Sequence, residues 1–320
     1  MKATRFIKNW ALPISMAVGA AGYFLCRSLP LSVGVRQAIT DALAYVQPML
    51  IFSMLMLTFC RVSLSDMRLR RWQAWLLLYQ AAAGILLCWL LVGTDSMAAR
   101  LCMESAMICF LCPTATAAAV VTSKLGGNAG TLTAYTILIN LLAAVLIPAL
   151  IPHVNPQGGI GFWPAFWLII RRVFPLLICP LVAATAIRRY CPTLLRRLTA
   201  IPDLAFHLWT VALALAIAVT TRIIVHSNVE PWAFLAVAIG SASACILQFA
   251  MGRWVGSRYG DAISSGQACG QKNTILAIWV GYTFLDPLTA LAGGFYSIWH
   301  NVYNSWQLYQ ANRPAQKIAK

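Results

Sequence analysis

Gly266-Gln267-Ala268-Cys269-Gly270-Gln271-Lys272-Asn273-Thr274 decides how this chain is read. The stretch is polar, yet it sits in the middle of an apolar run, 262–285, long enough to cross a bilayer at roughly 20 residues per crossing. A second interruption, Cys112-Pro113-Thr114-Ala115-Thr116, lies in mid-run within 98–122. Proline removes a helical hydrogen bond and clashes with the preceding turn. Glycine lets the chain leave helical geometry at low cost. Unwound backbone is tolerated in a membrane only where protein or a water-filled cavity satisfies it. The two interruptions therefore predict two broken helices meeting at a site. The plainer alternative is a proline kink beside a polar helix that faces the bundle.

Outward from these breaks, apolar runs recur at 7–27, 39–60, 72–93, 129–151, 165–187, 205–224, 232–252 and 288–310. With the two broken runs they predict an all-α polytopic membrane protein of ten helices. Of the 320 residues 60% are apolar and 10% charged, and mean hydropathy is +0.74. Soluble domains run near a quarter charged, so a normal water-facing surface could not be covered. Lys2, Arg5 and Lys8 precede the first run, which is too long for a signal peptide and lacks a convincing cleavage site; it reads as a retained helix. The ten cysteines are scattered through the runs and suggest no disulfide framework.

The net charge of +16 is explained by where it falls. With the N-terminus inside, seventeen of the 24 Lys and Arg lie at cytoplasmic positions. Arg27, Arg36, Arg100, Arg171, Arg172 and Arg222 fall on the other side. Lys and Arg in short loops favour the cytoplasm, so both termini are expected there, in the inner (cytoplasmic) membrane, with no nucleic-acid partner. Arg171 and Arg172 fit least well, and are read as an outer-interface pair with 162–170 as an amphipathic lead-in.

Five helices are an odd number, so a second set of five enters the membrane inverted. Residues 1–152 form the first predicted repeat and 153–320 the second, with a broken helix fourth in each. Secondary carriers use such repeats, with the site near the midplane where broken helices meet.

At these residues the sequence resembles the bile acid:sodium symporter family. Gly270-Gln271-Lys272-Asn273-Thr274 with Leu276-Ala277 is similar to its ninth-helix crossover. Phe295-Tyr296-Ser297-Ile298-Trp299-His300-Asn301 is similar to its tenth-helix motif. Cys112-Pro113, Thr116, Val120, Thr122 and Gly127-Asn128 follow its fourth-helix pattern, and Phe52-Ser53-Met54 its second-helix signature more loosely. The resemblance covers nearly the whole chain. It implies a panel domain of helices 1, 2, 6 and 7, and a core domain of helices 3–5 and 8–10 in which the fourth and ninth cross. It further implies that substrate meets Ala115 and Thr116, Asn273, His300 and Asn301.

The departures bear on coupling. The family's fourth-helix Ser-Asn pair is Ala118-Ala119 here, and a fifth-helix serine is Leu132, although Thr136 persists. Its acidic sodium ligand falls at Ala268, beside Gln267, and its glutamine ligand at Lys272. Hard cations bind oxygen ligands; alanine and leucine side chains supply none, and an ammonium repels the ion. Sodium coupling is therefore not expected, and Lys272, with Gln271 and Gln267, stands as the replacement for the missing cations. A mid-membrane lysine costs roughly 2.5–3.5 kcal/mol on insertion scales, so it needs a cavity or a partner. The bland reading is a salt bridge to Glu104 or snorkelling, although Arg100, one turn before Glu104, is that carboxylate's more natural partner. A buried lysine can also load and release a proton, which leaves proton coupling and uncoupled exchange both open.

The function expected is alternating-access transport of a small organic anion (a bile acid or a related carboxylate or sulfonate), with the lipid bilayer as the other partner. No cofactor, bound metal or enzymatic activity is expected. One rival is a metalloid exporter using Cys109, Cys112 and Cys269, since thiolates bind soft ions. Another is a membrane enzyme or sensor, which should bring paired carboxylates, a metal cluster or a nucleophile with its base; the eight acids and four histidines suggest none.

Overall fold

The computed structural model describes residues 10–30, 32–61, 67–115, 117–155, 161–201, 203–226, 229–286 and 288–312. Thr116, and the terminal charges Lys2, Arg5, Lys8, Arg313, Lys317 and Lys320, lie outside them. The described residues are helical throughout apart from short connections. In chain order the helices are α1 (Ala11–Ser28), α2 (Val33–Arg61), α3 (Arg71–Val92), α4 (Met97–Leu111), α5 (Ala118–Lys124), α6 (Ala129–Val154) and α7 (Phe162–Tyr190). There follow α8 (Pro192–Ala200), α9 (Leu204–His226), α10 (Pro231–Ser257), α11 (Ala262–Gly270), α12 (Thr274–Phe284) and α13 (Leu291–Asn312). Five of them (α2, α3, α6, α9 and α10) are long and apolar enough to cross a membrane.

Two elements differ from the sequence reading. Phe162–Tyr190 is one helix of 29 residues, so the stretch 162–170 and Arg171 and Arg172 are continuous with the rest of the 165–187 run. The short α8 has no counterpart among the apolar runs. Its strongly one-sided, charged sequence lies against α2 and α7, and Arg61 donates to the carbonyls of Thr199 and Ile201 at its end.

Packing follows two groupings. Helix α9 packs on α1 and α2, and α2 on α7. Separately, α10 packs on α4, α11 and α13, α3 packs on α4 and α6, and α12 on α13. The groups meet where α6 touches α7 and where α13 touches α1 and α9. Helix α10 comes very close to the half-length helices because it carries glycine at both contacts. A Cβ at Gly240 would collide with the Cys102 carbonyl of α4, and one at Gly252 would lie 2.6 Å from the Ser265 carbonyl of α11. Small residues that let backbones approach are the usual means of helix association in lipid.

A buried polar chain runs across this second group. The Tyr135 hydroxyl donates to Gln80 (3.2 Å), and the Gln80 amide donates to Gln248 (3.3 Å). Gln248 donates to the Tyr296 hydroxyl (3.2 Å), which donates to the Gly270 carbonyl (2.7 Å). Helices α6, α3, α10 and α13 are thereby tied to the end of α11.

Candidate functional site

Both interruptions have a local cause. The residue before a proline avoids helical geometry. Accordingly Cys112, with φ −67° and ψ 138°, ends α4 just before Pro113. Helix α11 ends at Gly270, whose missing side chain accommodates the Phe249 ring, and Gln271 is extended at φ −92°, ψ 102°. Asn273 then restarts the helix by accepting from the Leu276 N–H at 3.1 Å, as amide N-caps do.

Between these ends the two breaks pair with each other. Thr114 and Lys272 form an antiparallel bridge. The Ala115 N–H donates to the Gln271 carbonyl at 2.8 Å, and the Asn273 N–H to the Pro113 carbonyl at 2.9 Å. The Thr114 hydroxyl adds a bond of 2.5 Å to the Ala268 carbonyl. Each unwound segment thus satisfies backbone groups that the other exposes, as apolar surroundings require.

A cavity of about 570 Å³ opens against this bridge. Ala115 lines it from the first break, Gln271, Lys272 and Asn273 from the second, and Ser297, His300 and Asn301 from α13. Gln47 and Met54 of α2, Arg172 of α7 and Trp209 of α9 close the opposite wall. Of the residues singled out in the sequence, Thr116 lies outside the described residues, and Gln267 is set back from the cavity with its amide on Asn304 at 3.0 Å. The other six, Ala115, Gln271, Lys272, Asn273, His300 and Asn301, are together on its wall.

The buried polar groups here are under-used. Among the described residues Nδ1 of His300, Oδ1 of Asn301 and Oε1 of Gln271 have no hydrogen-bond partner, although all three residues are buried. Asn301 donates only within its own helix, to the Ser297 carbonyl at 2.7 Å. Among the described residues neither His300 nor Asn301 has a side-chain hydrogen bond to another helix. Such groups cost free energy unless a ligand or water meets them.

Lys272 is 1% exposed. Its ammonium lies 3.4 Å from the Phe110 carbonyl, in the last turn of α4. A cation there offsets the partial negative charge that gathers at a helix C-terminus. Glu104 is not its partner: that carboxylate accepts from Arg100 at 2.8 Å and from Thr289 at 2.9 Å. Cys269 accepts from Gln80 at 3.6 Å, and Cys109 faces the Ala292 carbonyl at 3.9 Å. Among the described residues no three His, Cys, Asp or Glu side chains are disposed to hold a metal ion.

Arg172 and Gln47 are wall residues that the sequence reading missed. The Arg172 guanidinium lies 4.6 Å from the centre of the Trp279 ring of α12, within cation–π range. Gln47 and Arg172 also line a second cavity of about 270 Å³ that continues the first along α12. The available signal was a charge inside an apolar run on the side where positive charge is scarce. No protein-family model matches the chain, and no curated protein matches it.

Proposed function

We propose that the chain is a secondary carrier for a small organic anion, built as the bile acid:sodium symporters are, with Lys272 in place of coupling sodium ions. The observation that carries this reading is the Thr114–Lys272 bridge with a cavity against it. On its buried side an ammonium meets the carbonyl end of α4. On its cavity side lie the N-terminus of α12 and the side chains of Gln271, His300 and Asn301, whose N–H groups are the ones able to donate to an anion. A helix N-terminus favours an anion, and neither aspartate nor glutamate is among the cavity's lining residues. The ammonium acts on the substrate through the crossover rather than by contact, and it can shed a proton if the cycle couples to one.

The packing supports ten helices in two inverted repeats, 1–152 and 153–320, with α4–α5 and α11–α12 each counted as one broken helix. Exchanging the first five with the last five turns most pairings into pairings that also occur. The α1–α9 pair becomes α7–α2, α3–α4 becomes α10–α11, and α6–α7 becomes α13–α1. Gln80 on α3 with Tyr135 on α6 has its counterpart in Gln248 on α10 with Tyr296 on α13. The two packed groups fit a panel of helices 1, 2, 6 and 7 and a core of 3–5 and 8–10. Lys and Arg placement fits both termini in the cytoplasm of an inner membrane.

Thermal unfolding of the purified protein in detergent tests the reading, using a panel of carboxylates and sulfonates in sodium chloride or choline chloride. A ligand at a hundredfold its Kd adds about 2.7 kcal/mol to apparent stability. The expected result is stabilisation by at least one anion without sodium, abolished or made sodium-dependent by Lys272→Gln. Strong stabilisation by sodium alone would overturn the built-in cation. An absence of any anion effect in either salt would count against the carrier.

A further inference from the structure

A third cavity, of about 850 Å³, opens between α1, α2 and α9, away from the crossover. One end is basic: Arg27, Arg36, Arg222 and His226 line it. The body is apolar, running past Val18, Gly22, Leu43 and Leu215 to Gln47, where it reaches the central cavity. From Arg27 down to Val18 the wall covers about 13 Å of helix at 1.5 Å per residue. Neither aspartate nor glutamate is among its lining residues. Gly22 has nothing within 4 Å of where a Cβ would stand, so this stretch of α1 is open to an occupant. Neighbouring Gly19, in contrast, packs directly on the Ala214 carbonyl of α9 and holds the far wall in place.

The charge pattern sharpens the point. The sequence puts only six Lys or Arg on the side opposite the cytoplasm, and such positions are disfavoured. Three of those six, Arg27, Arg36 and Arg222, gather at this one opening. Arginine guanidinium groups pair with phosphate through charge-assisted, bidentate hydrogen bonds, the chemistry by which basic pockets on the cytoplasmic side hold anionic lipid head groups.

We propose that the cleft between α1, α2 and α9 is a lipid site that binds an anionic phospholipid. The phosphate lies among Arg27, Arg36, Arg222 and His226, and an acyl chain runs inward along Val18 and Gly22 toward Gln47. The occupant is a membrane lipid rather than the carried anion, so the site stands whether or not the carrier reading does.

The test titrates purified protein in non-ionic detergent with dihexanoyl phosphatidylglycerol, dihexanoyl phosphatidylcholine and glycerol phosphate, reading thermal shift and the lipid retained in native mass spectrometry. Phosphatidylglycerol should stabilise the protein and stay bound, while phosphatidylcholine and glycerol phosphate should do neither. R27Q/R222Q should weaken phosphatidylglycerol binding by about tenfold or more. Gly22→Phe, which meets open space, should block the chain and give the same loss with the charges intact. Both variants should keep any shift given by organic anions at the crossover. Equal binding of phosphatidylcholine would overturn the charge reading, and glycerol phosphate acting alone would overturn the lipid. Undiminished phosphatidylglycerol binding in the Gly22→Phe protein would overturn the site.

Discussion

The Lys272 ammonium and the Phe110 carbonyl are buried together, so each depends on the other for its hydrogen bond. Lys272→Met leaves that carbonyl facing apolar surroundings. It should cost about 1.5–3 kcal/mol, the usual worth of a hydrogen bond to a charged group, read as a fall in midpoint during thermal unfolding in detergent. His300 and Asn301 should behave in the opposite way. Among the described residues they bond no neighbouring helix, so alanine at either should leave unliganded stability nearly unchanged. Anion affinity should fall by about tenfold for each hydrogen bond lost, near 1.4 kcal/mol, as calorimetric titration would measure. If unliganded stability fell instead, the two residues would be structural. At this scale the sequence was informative about identity and poor about direction. A lysine beside a break had to be satisfied, but that its partner is a carbonyl of α4 depends on how two distant segments lie across each other. Arg172 was hidden for the same reason: its place over Trp279 depends on how α7 and α12, far apart in the sequence, lie against each other.

Among the elements, α10 bears the closest contacts, and of its three glycines Gly240 is set against α4 and Gly252 and Gly256 against α11. Gly252→Val puts methyl groups where the Ser265 carbonyl already lies, 2.6 Å from a built Cβ. Overpacking of this kind costs about 1–3 kcal/mol. The same substitution at Gly22, which faces open space, should cost far less. Comparing thermal midpoints of Gly252→Val and Gly22→Val checks this, and equal losses would mean that α11 yields to α10. Helix existence was legible wherever a run was long and apolar, and both interruptions were legible from Pro113 and from Gly266 and Gly270. The short α8 was not, because nine residues carrying Arg196 and Arg197 give neither length nor apolarity. The run at 165–187 was legible as one helix, and it extends from Phe162 to Tyr190.

For the whole molecule, the proposed inverted arrangement makes a statement about sides. In a protein otherwise free of cysteine, Cys191, exposed at the α7–α8 junction, should react with a membrane-impermeant maleimide only after the cells are opened. A cysteine introduced at the exposed His153, at the end of α6, should react in intact cells. Labelling of both from one side would refute the inverted arrangement. The two breaks could be anticipated from Pro113 and from the polar stretch at 266–274, whereas the pairing of Gln80 and Gln248 could not. Two glutamines in separate apolar runs carry no sign that they will meet.

The bridge between Thr114 and Lys272 has a mechanical consequence. Two loosened helices would ordinarily be the soft point of a bundle, free to rewind or slide. Here each holds the other's amides, so neither break can move without tearing bonds from both, and the crossing becomes an axle rather than a spring. In the proposed carrier, the cavity then opens and closes at its rim, where α6 meets α7 and α13 meets α1 and α9. The amides of Ala115 and Asn273, though outside any helix, should exchange with deuterium as slowly as those in the middle of α10.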